Sequence, residues 1–214
     1  MTNLIDSIKT YVTPELLGQA AGLLGENEGG ISKAIGGLAP VLLAGLLDKT
    51  GDPNAADGIF QMLGGFDSGA LNRLDKLIGG GNLAHNDPKD AAGHLIGTVF
   101  GAKVPAITNA VAAFSGTKPS TVSALLGMTG SLVMGILSDR IRNEGLSASG
   151  LANALQDEKN SILGALPTGL GSVLGLALAP ETPAEPAATG NNWLWPLLLL
   201  LGLGGGIIYY LKNC

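Results

Sequence analysis

Apolar residues recur at helical spacing along most of the chain, with polar residues between them. Three helix starts are marked by a polar residue followed by proline, at Thr13-Pro14, Asp52-Pro53 and Asp87-Pro88. The polar side chain accepts an N–H of the first turn, and proline suits the first helical position. No segment alternates apolar and polar residues over the length of a strand. The pattern therefore predicts an all-α protein.

Two long apolar segments resemble each other. The segment ISKAIGGLAPVLLAGLLDK aligns with TVSALLGMTGSLVMGILSD when Gly45 is placed on Gly135, and Ala34 then meets Ala124. Each follows a glycine-containing turn and precedes a shorter helix. We predict two similar helical units, about 14–80 and 88–178, packed into one glycine-rich bundle of residues 1–178. The alternative is a chance match between two helices rich in glycine and leucine.

Residues 121–137 carry no charge and are nearly long enough to cross a membrane. The equivalent run, 34–47, is too short to do so. If the two play equivalent roles, both are buried helices at the centre of a bundle.

Residues 193–211, WLWPLLLLLGLGGGIIYYL, form the strongest signal in the chain because they contain no charged residue. At 1.5 Å per residue this helix would span roughly 28 Å, close to the hydrocarbon thickness of a bilayer. Aromatic residues mark both ends, where membrane and water meet. They are Trp193, Trp195, Tyr209 and Tyr210. We predict a single transmembrane helix with these four residues as its anchors.

The segments around the span complete the organisation. Residues 179–192 contain three prolines and two glutamates and predict a disordered linker, and residues 212–214 form a short tail. Gly202 and Gly206 have the spacing that lets membrane helices pack closely, which predicts self-association; the alternative is that glycine is simply common in such helices. Lys212 alone is weak support for a cytoplasmic C-terminus, and that orientation would require the export of roughly 190 residues that lack a signal peptide. We therefore place the N-terminal domain in the cytoplasm and the span in the bacterial inner (plasma) membrane.

Composition and charge narrow the function classes. The 214 residues include 34 glycines, only 14% are charged, and the formal net charge is −5. Nucleic-acid binding needs a concentrated basic patch, so the sequence argues against it. The single cysteine excludes an intrachain disulfide and a cysteine-cluster metal site. The N-terminus lacks the apolar run of a secretory signal.

The tetrapeptide Asp48-Lys49-Thr50-Gly51 has the letters of the phosphorylation site of P-type ion pumps. There the aspartate follows a β-strand, whereas here it follows an apolar helical segment. Lys49 suits the negative end of a helix, and Gly51 is expected to supply a left-handed stop. We interpret the tetrapeptide as a helix end and not as a phosphorylation site.

The remaining polar residues do not form a catalytic, cofactor or metal signature, so we predict a protein that is not an enzyme. Residues 139–144 are the most charged stretch of the domain and are expected to be a solvated helix end. A dispersed active site would need a pocket formed by His85, Asp87, Asp90 and His94.

Several motifs together carry a family resemblance. They are Asn3-Leu4-Ile5-Asp6, Tyr11-Val12-Thr13-Pro14, Ile31-Ser32-Lys33-Ala34, Leu38-Ala39-Pro40-Val41-Leu42, His94-Leu95-Ile96-Gly97-Thr98-Val99-Phe100-Gly101, and the unit from Ser115 to Leu137. Over residues 1–178 the chain resembles a bacterial domain-of-unknown-function family, number 937, related to YidB-like proteins. The family has no activity to transfer. The resemblance further implies an arrangement found in some Bacteroidetes proteins, where a span follows this domain and an OmpA-like peptidoglycan-binding domain follows the span.

The sequence thus favours a membrane-anchored scaffold or interaction module of the bacterial envelope. Its expected partners are the lipid bilayer, other proteins or further copies of itself, and peptidoglycan through a downstream domain. A pore-forming or membrane-remodelling protein is the alternative, in which the 34–47 and 121–137 helices would also insert.

Overall fold

The computed structural model describes residues 3–66 and 88–175. Within these ranges every regular element is a helix, so the predicted all-α class is confirmed. The first range contains α1 (Leu4–Tyr11), α2 (Pro14–Leu24), α3 (Glu28–Lys49) and α4 (Pro53–Gly64). The second contains α5 (Pro88–Phe100), a 3-10 turn (Gly101–Lys103), α6 (Val104–Ser115), α7 (Pro119–Glu144), α8 (Ala148–Asp157), α9 (Lys159–Gly164) and α10 (Leu170–Leu174). The chain divides into two units, Met1–Leu178 and Ala179–Cys214, and all described residues belong to the first.

Helix starts follow the polar-residue-and-proline rule where the structure describes them. The Thr13 hydroxyl accepts the Leu16 N–H at 3.3 Å, and the Asp52 carboxylate accepts the Asn54 N–H at 3.0 Å. Both residues are extended and precede a proline in the first helical turn. These two starts are therefore confirmed, whereas Asp87 lies outside the described residues.

Two short helices end in left-handed glycines that turn the chain into a long helix. Gly25 closes α2 at φ 63°, and Gly116 closes α6 at φ 72°. A side chain at either position would be strained, because L-residues rarely adopt positive φ. The chain then enters α3 and α7, the two longest helices among those described.

The core is built around α3 and α7, which pack against each other. Their apolar side chains are almost completely enclosed, including Leu38, Leu43, Leu125, Met134 and Leu137. The remaining helices cover this pair. Helix α2 packs on α3, α5 packs on α7, α6 packs on both, and α4 packs on α7 and α8. The prediction that residues 34–47 and 121–137 lie in buried helices is confirmed.

One close approach sets the position of α5 against α3. A β-carbon placed on Gly45 would lie 2.4 Å from Phe100 Cε1 and 2.7 Å from Val99 Cγ1. Only glycine leaves room for these two side chains, both of which are buried. The contact fixes the end of α5 beside the last turns of α3.

Three described segments are long and apolar enough to cross a membrane: Glu28–Lys49, Ala91–Ser115 and Pro119–Glu144. Within the domain, 83% of the apolar window of the first and 72% of that of the last are buried. The middle segment is broken at Gly101, where φ is 51°, into helical stretches of roughly 15 and 18 Å, and 44% of its apolar window is buried. The first and last segments therefore find most of their apolar partners inside the domain, whereas more than half of the middle window is not buried there.

Candidate functional site

The end of α3 carries the pump-like tetrapeptide and shows how the helix stops. The buried Thr50 hydroxyl donates to the Leu46 carbonyl at 2.8 Å, and the Thr50 N–H donates to the same carbonyl. Thr50 itself is right-handed, and Gly51 is absent from the residues with positive φ. The expected left-handed stop at Gly51 is therefore wrong, because the threonine satisfies the helix end without it. Asp48 lies in the last turn of helix α3 and not after a strand, so the predicted helix end is confirmed.

A groove of about 170 Å³ lies where α3 ends beside the junction of α5 and α6. We call it the junction groove. Its lining includes Gly45, Asp48, Lys49, Thr98, Phe100 and Lys103. Phe100 and Val99 lie beside it because Gly45 lets them approach α3. The charged and hydroxyl side chains are exposed, whereas Phe100 and Val99 are buried, so the open lining is mostly polar and carries two ammonium groups and one carboxylate.

Lys103 also connects this groove to the end of the described chain. Its Nζ donates to the Leu174 carbonyl oxygen at 2.6 Å, and Leu174 also lines the groove. A lysine in this position satisfies a carbonyl in the last turn of α10. Gly175 follows at φ 71°, and a β-carbon there would lie 3.4 Å from Lys103 Nζ.

Glu26, in the turn between α2 and α3, caps the start of α7. Its Oε1 accepts the Lys118 N–H and the Thr121 hydroxyl, each at 3.1 Å. Lys118 provides no side-chain cap of its own. The backbone hydrogen bond from Lys118 lowers the pKa of Glu26, an effect that burial opposes and that Thr121 and the Lys118 ammonium support.

We expect Glu26 to make stability depend on acidity. A carboxyl whose folded pKa is depressed stabilises the fold above its unfolded pKa, near 4.5, and loses that contribution as pH falls through the folded pKa. Glu26→Gln should lower the urea midpoint relative to wild type at neutral pH, and the difference should shrink as the pH falls below the unfolded pKa. Asp57→Asn, which changes an exposed carboxylate on α4, is the control. A Glu26→Gln defect that persists unchanged in acid would contradict the assignment.

A second charged cluster joins the first helix to the last third of the domain. Arg140 Nη1 lies 2.5 Å from Glu158 Oε1, and Arg140 Nε lies 3.2 Å from Glu144. The other oxygen of Glu158 accepts the Leu4 N–H at 2.7 Å. Burial alone would lower the pKa of Arg140, but its bonds to Glu158 and Glu144 outweigh burial and raise that pKa.

This cluster corrects the expectation for residues 139–144. The stretch is not simply a solvated helix end, because the Arg140 side chain is only 15% exposed and ion-paired. Arg142 bonds to the Phe66 carbonyl, which also accepts the Ser138 hydroxyl at 3.1 Å. The charges of this stretch hold α1 and the end of α4 against α7.

The predicted site residues lie mostly outside the described ranges. This applies to the membrane anchors Trp193, Trp195, Tyr209 and Tyr210, and to Gly202 and Gly206. Of the dispersed-site candidates, His85 and Asp87 also lie outside, and no side-chain position is described for Asp90. His94 is exposed on α5, where its carbonyl accepts the Thr98 hydroxyl at 2.9 Å. Within residues 3–66 and 88–175 no group of three potential metal ligands is brought together.

The sequence alone did not identify the polar residues that make the long-range contacts described above. Lys49 was interpreted only as a helix-end residue, and Lys103, Glu26 and Glu158 were not singled out. No local signal identifies them, because their partners are distant in the chain: Glu26 and Lys118 are 92 residues apart, and Leu4 and Glu158 are 154 apart.

Comparison with known proteins gives a family and no activity. The model of the family DUF937, described as a bacterial protein of unknown function, matches residues 6–140. No curated protein and no solved structure matches the chain.

Proposed function

Because the chain belongs to the bacterial family DUF937, we propose from its own residues that it is a non-catalytic scaffold of the bacterial envelope. Residues 193–211 anchor it in the inner membrane, and the helical domain stands on the cytoplasmic side. Its partners are the bilayer and other proteins or copies of itself. A link to peptidoglycan through an OmpA-like part belongs to the same proposal, and no residue of this chain is assigned to it.

The observation that carries the proposal is the uncharged segment 193–211 with aromatic pairs at both ends. A stretch of this length matches the hydrocarbon core, and tryptophan and tyrosine favour its two boundaries. The preceding residues, 179–192, are rich in proline and alanine and suit a linker. Gly202 and Gly206 would allow two such helices to pack closely.

The helical domain supports a scaffold role because its two central apolar helices are covered by other helices of the same domain. The central helices α3 and α7 bury most of their surface against neighbouring helices. We further propose that the domain consists of two similar units. Each has a short helix, a left-handed glycine and a long helix, α2–Gly25–α3 and α6–Gly116–α7. The correspondence is imperfect, since Ala34 is buried and its aligned residue Ala124 is exposed.

Fractionation tests the anchor. We expect the full chain to sediment with membranes, to resist extraction by high salt and alkaline carbonate, and to dissolve only in detergent, because the span is held by hydrocarbon and not by charge. A chain ending at Leu178 should move to the soluble fraction and remain strongly helical by circular dichroism, because it keeps all the described helices. If the full-length protein is soluble without detergent, the proposed membrane anchor is contradicted.

A pore-forming or membrane-remodelling role is the second candidate, favoured by the three apolar segments long enough to cross a membrane. Cysteine accessibility separates the two. Leu42 and Ser131 are each 2% exposed inside the domain. With Cys214 replaced by serine, Leu42→Cys and Ser131→Cys should resist both a water-soluble maleimide and a lipid-soluble maleimide in membranes, whereas Lys33→Cys, an exposed position on α3, should react with the water-soluble reagent. Labelling of Leu42→Cys or Ser131→Cys by the lipid-soluble maleimide would favour insertion.

A further inference from the structure

The junction groove lies beside the end of the described chain. Lys103 Nζ donates to the Leu174 carbonyl at 2.6 Å, and Gly175 follows at φ 71°. Roughly 17 residues separate Gly175 from the proposed span, and if they form the predicted linker they cover about 20–25 Å on average. With the proposed anchor, that length brings the groove within reach of the lipid headgroups.

The charge around the groove suits an anionic surface. Residues 91–115, which hold most of α5 and all of α6, contain Lys103 and no aspartate or glutamate, whereas Lys89 and Asp90 lie in the first turn of α5. Lys49 adds a second ammonium group across the groove, and Asp48 is the one carboxylate in the lining. The whole chain has a formal charge of −5, so anionic headgroups would repel other faces of the protein more than this one.

The open lining of the groove is mostly polar. Thr98 is exposed in the lining with the two lysines, whereas Phe100, Val99 and Leu174 are each at most 7% exposed. The phosphate of a phospholipid headgroup matches this lining, because it accepts hydrogen bonds from ammonium groups.

We propose that the junction groove docks on the membrane surface and that Lys49 and Lys103 bind the phosphate groups of anionic phospholipids there. The inference rests on the proposed membrane anchor for its proximity to lipid. It adds an orientation, in which the end of α3 and the α5–α6 junction face the bilayer and the domain is not free on its linker.

The test uses the full chain, with Cys214→Ser, in vesicles containing phosphatidylglycerol or phosphatidylcholine alone. An environment-sensitive fluorophore is attached at Ala102→Cys, on the exposed 3-10 turn beside Lys103, or at Asn153→Cys, an exposed control position on α8. We expect lipid-phase quenching of the first probe but not the second in phosphatidylglycerol. The quenching should weaken in phosphatidylcholine and at high salt.

Lysine variants identify the contact. Lys49→Gln should reduce the docked-to-free ratio about fivefold, and adding Lys103→Gln should reduce it further by a similar factor. Lys33→Gln with Lys159→Gln removes the same charge from two exposed positions outside the groove and should change it little. Lys49→Gln leaves the Lys103–Leu174 bond intact, so its effect does not depend on the fold of α10.

The outcomes separate this inference from the anchor. Three results would overturn the groove assignment: equal quenching of the two probes, equal docking on both lipids, or equal effects of the two lysine pairs. Flotation of the protein with vesicles would still support the anchor. If the protein does not float, the anchor fails. Vesicles added to the soluble chain then decide the groove assignment by the same probe signals.

Discussion

Gly45→Ala should lower the free energy of unfolding by about 1 kcal/mol, although alanine is the better helix former. The new methyl group would lie 2.4 Å from Phe100 Cε1 and 2.5 Å from Phe100 Cζ. Phe100 is 6% exposed, so the ring can yield only by leaving the core, and returning a large apolar side chain to water costs roughly 1.5–3 kcal/mol. The gain in helix propensity, about 1 kcal/mol, offsets part of this loss.

Gly36→Ala is the matched control, with the same change in the same helix. A β-carbon on Gly36 meets nothing within 4 Å. Alanine there should raise stability by up to about 1 kcal/mol, because only the propensity term remains. Urea denaturation of both variants measures the contrast. A Gly45→Ala protein as stable as Gly36→Ala would contradict the close approach of α5 to α3.

Glu158→Ala should cost about 2–3 kcal/mol, with the loss concentrated in α1. It leaves the partly buried Arg140 without its 2.5 Å partner and removes the acceptor of the Leu4 N–H. Breaking a fully buried ion pair costs more than this. The Glu158 side chain is 14% exposed, so we expect a smaller cost than for a fully buried pair. Hydrogen exchange should show earlier opening of α1 than of α3.

A double-mutant cycle with Arg140→Met isolates the pair, and we expect a coupling of about 1–2 kcal/mol. Lys9→Ala provides the comparison, since it breaks an ion pair to Asp6 in which the side chains are 71% and 59% exposed. That change should stay within about 0.5 kcal/mol. Additive effects at Arg140 and Glu158 would show that the contact contributes only as two independent charges.

Local chemistry explains what could be predicted from the sequence. A cap residue before a proline determines a helix start within one turn, so Thr13 and Asp52 were placed correctly. The long apolar runs predicted buried central helices for a similar reason, because uncharged residues on all faces need apolar partners on all sides. The resemblance based on motifs along residues 1–178 agreed with the family match over residues 6–140.

What the sequence did not predict has two physical causes. Neighbouring residues can compete to end the same helix, and contacts can join residues that are far apart in the chain. Gly51 was expected to end α3 in a left-handed conformation. The Thr50 hydroxyl instead donates to the Leu46 carbonyl, and the helix ends without a left-handed residue at Gly51. The junction groove needs Lys49 and Lys103 on different helices, and the approach that joins them depends on the missing side chain of Gly45. A pattern read along the chain contains no such pairing. The linker and span remain predictions from the sequence alone.

The bond from Leu4 to Glu158 has a consequence during synthesis. Helix α1 leaves the ribosome first, but the Glu158 carboxylate that accepts its Leu4 N–H is synthesised 154 residues later. At about 5–20 residues per second, the two are separated by roughly 8–30 s of translation. During that time Leu4, Ile5 and Ile8, all buried in the finished domain, have no complete surface to cover them. The nascent protein should therefore depend on a chaperone early, and slowed translation should expose it longer.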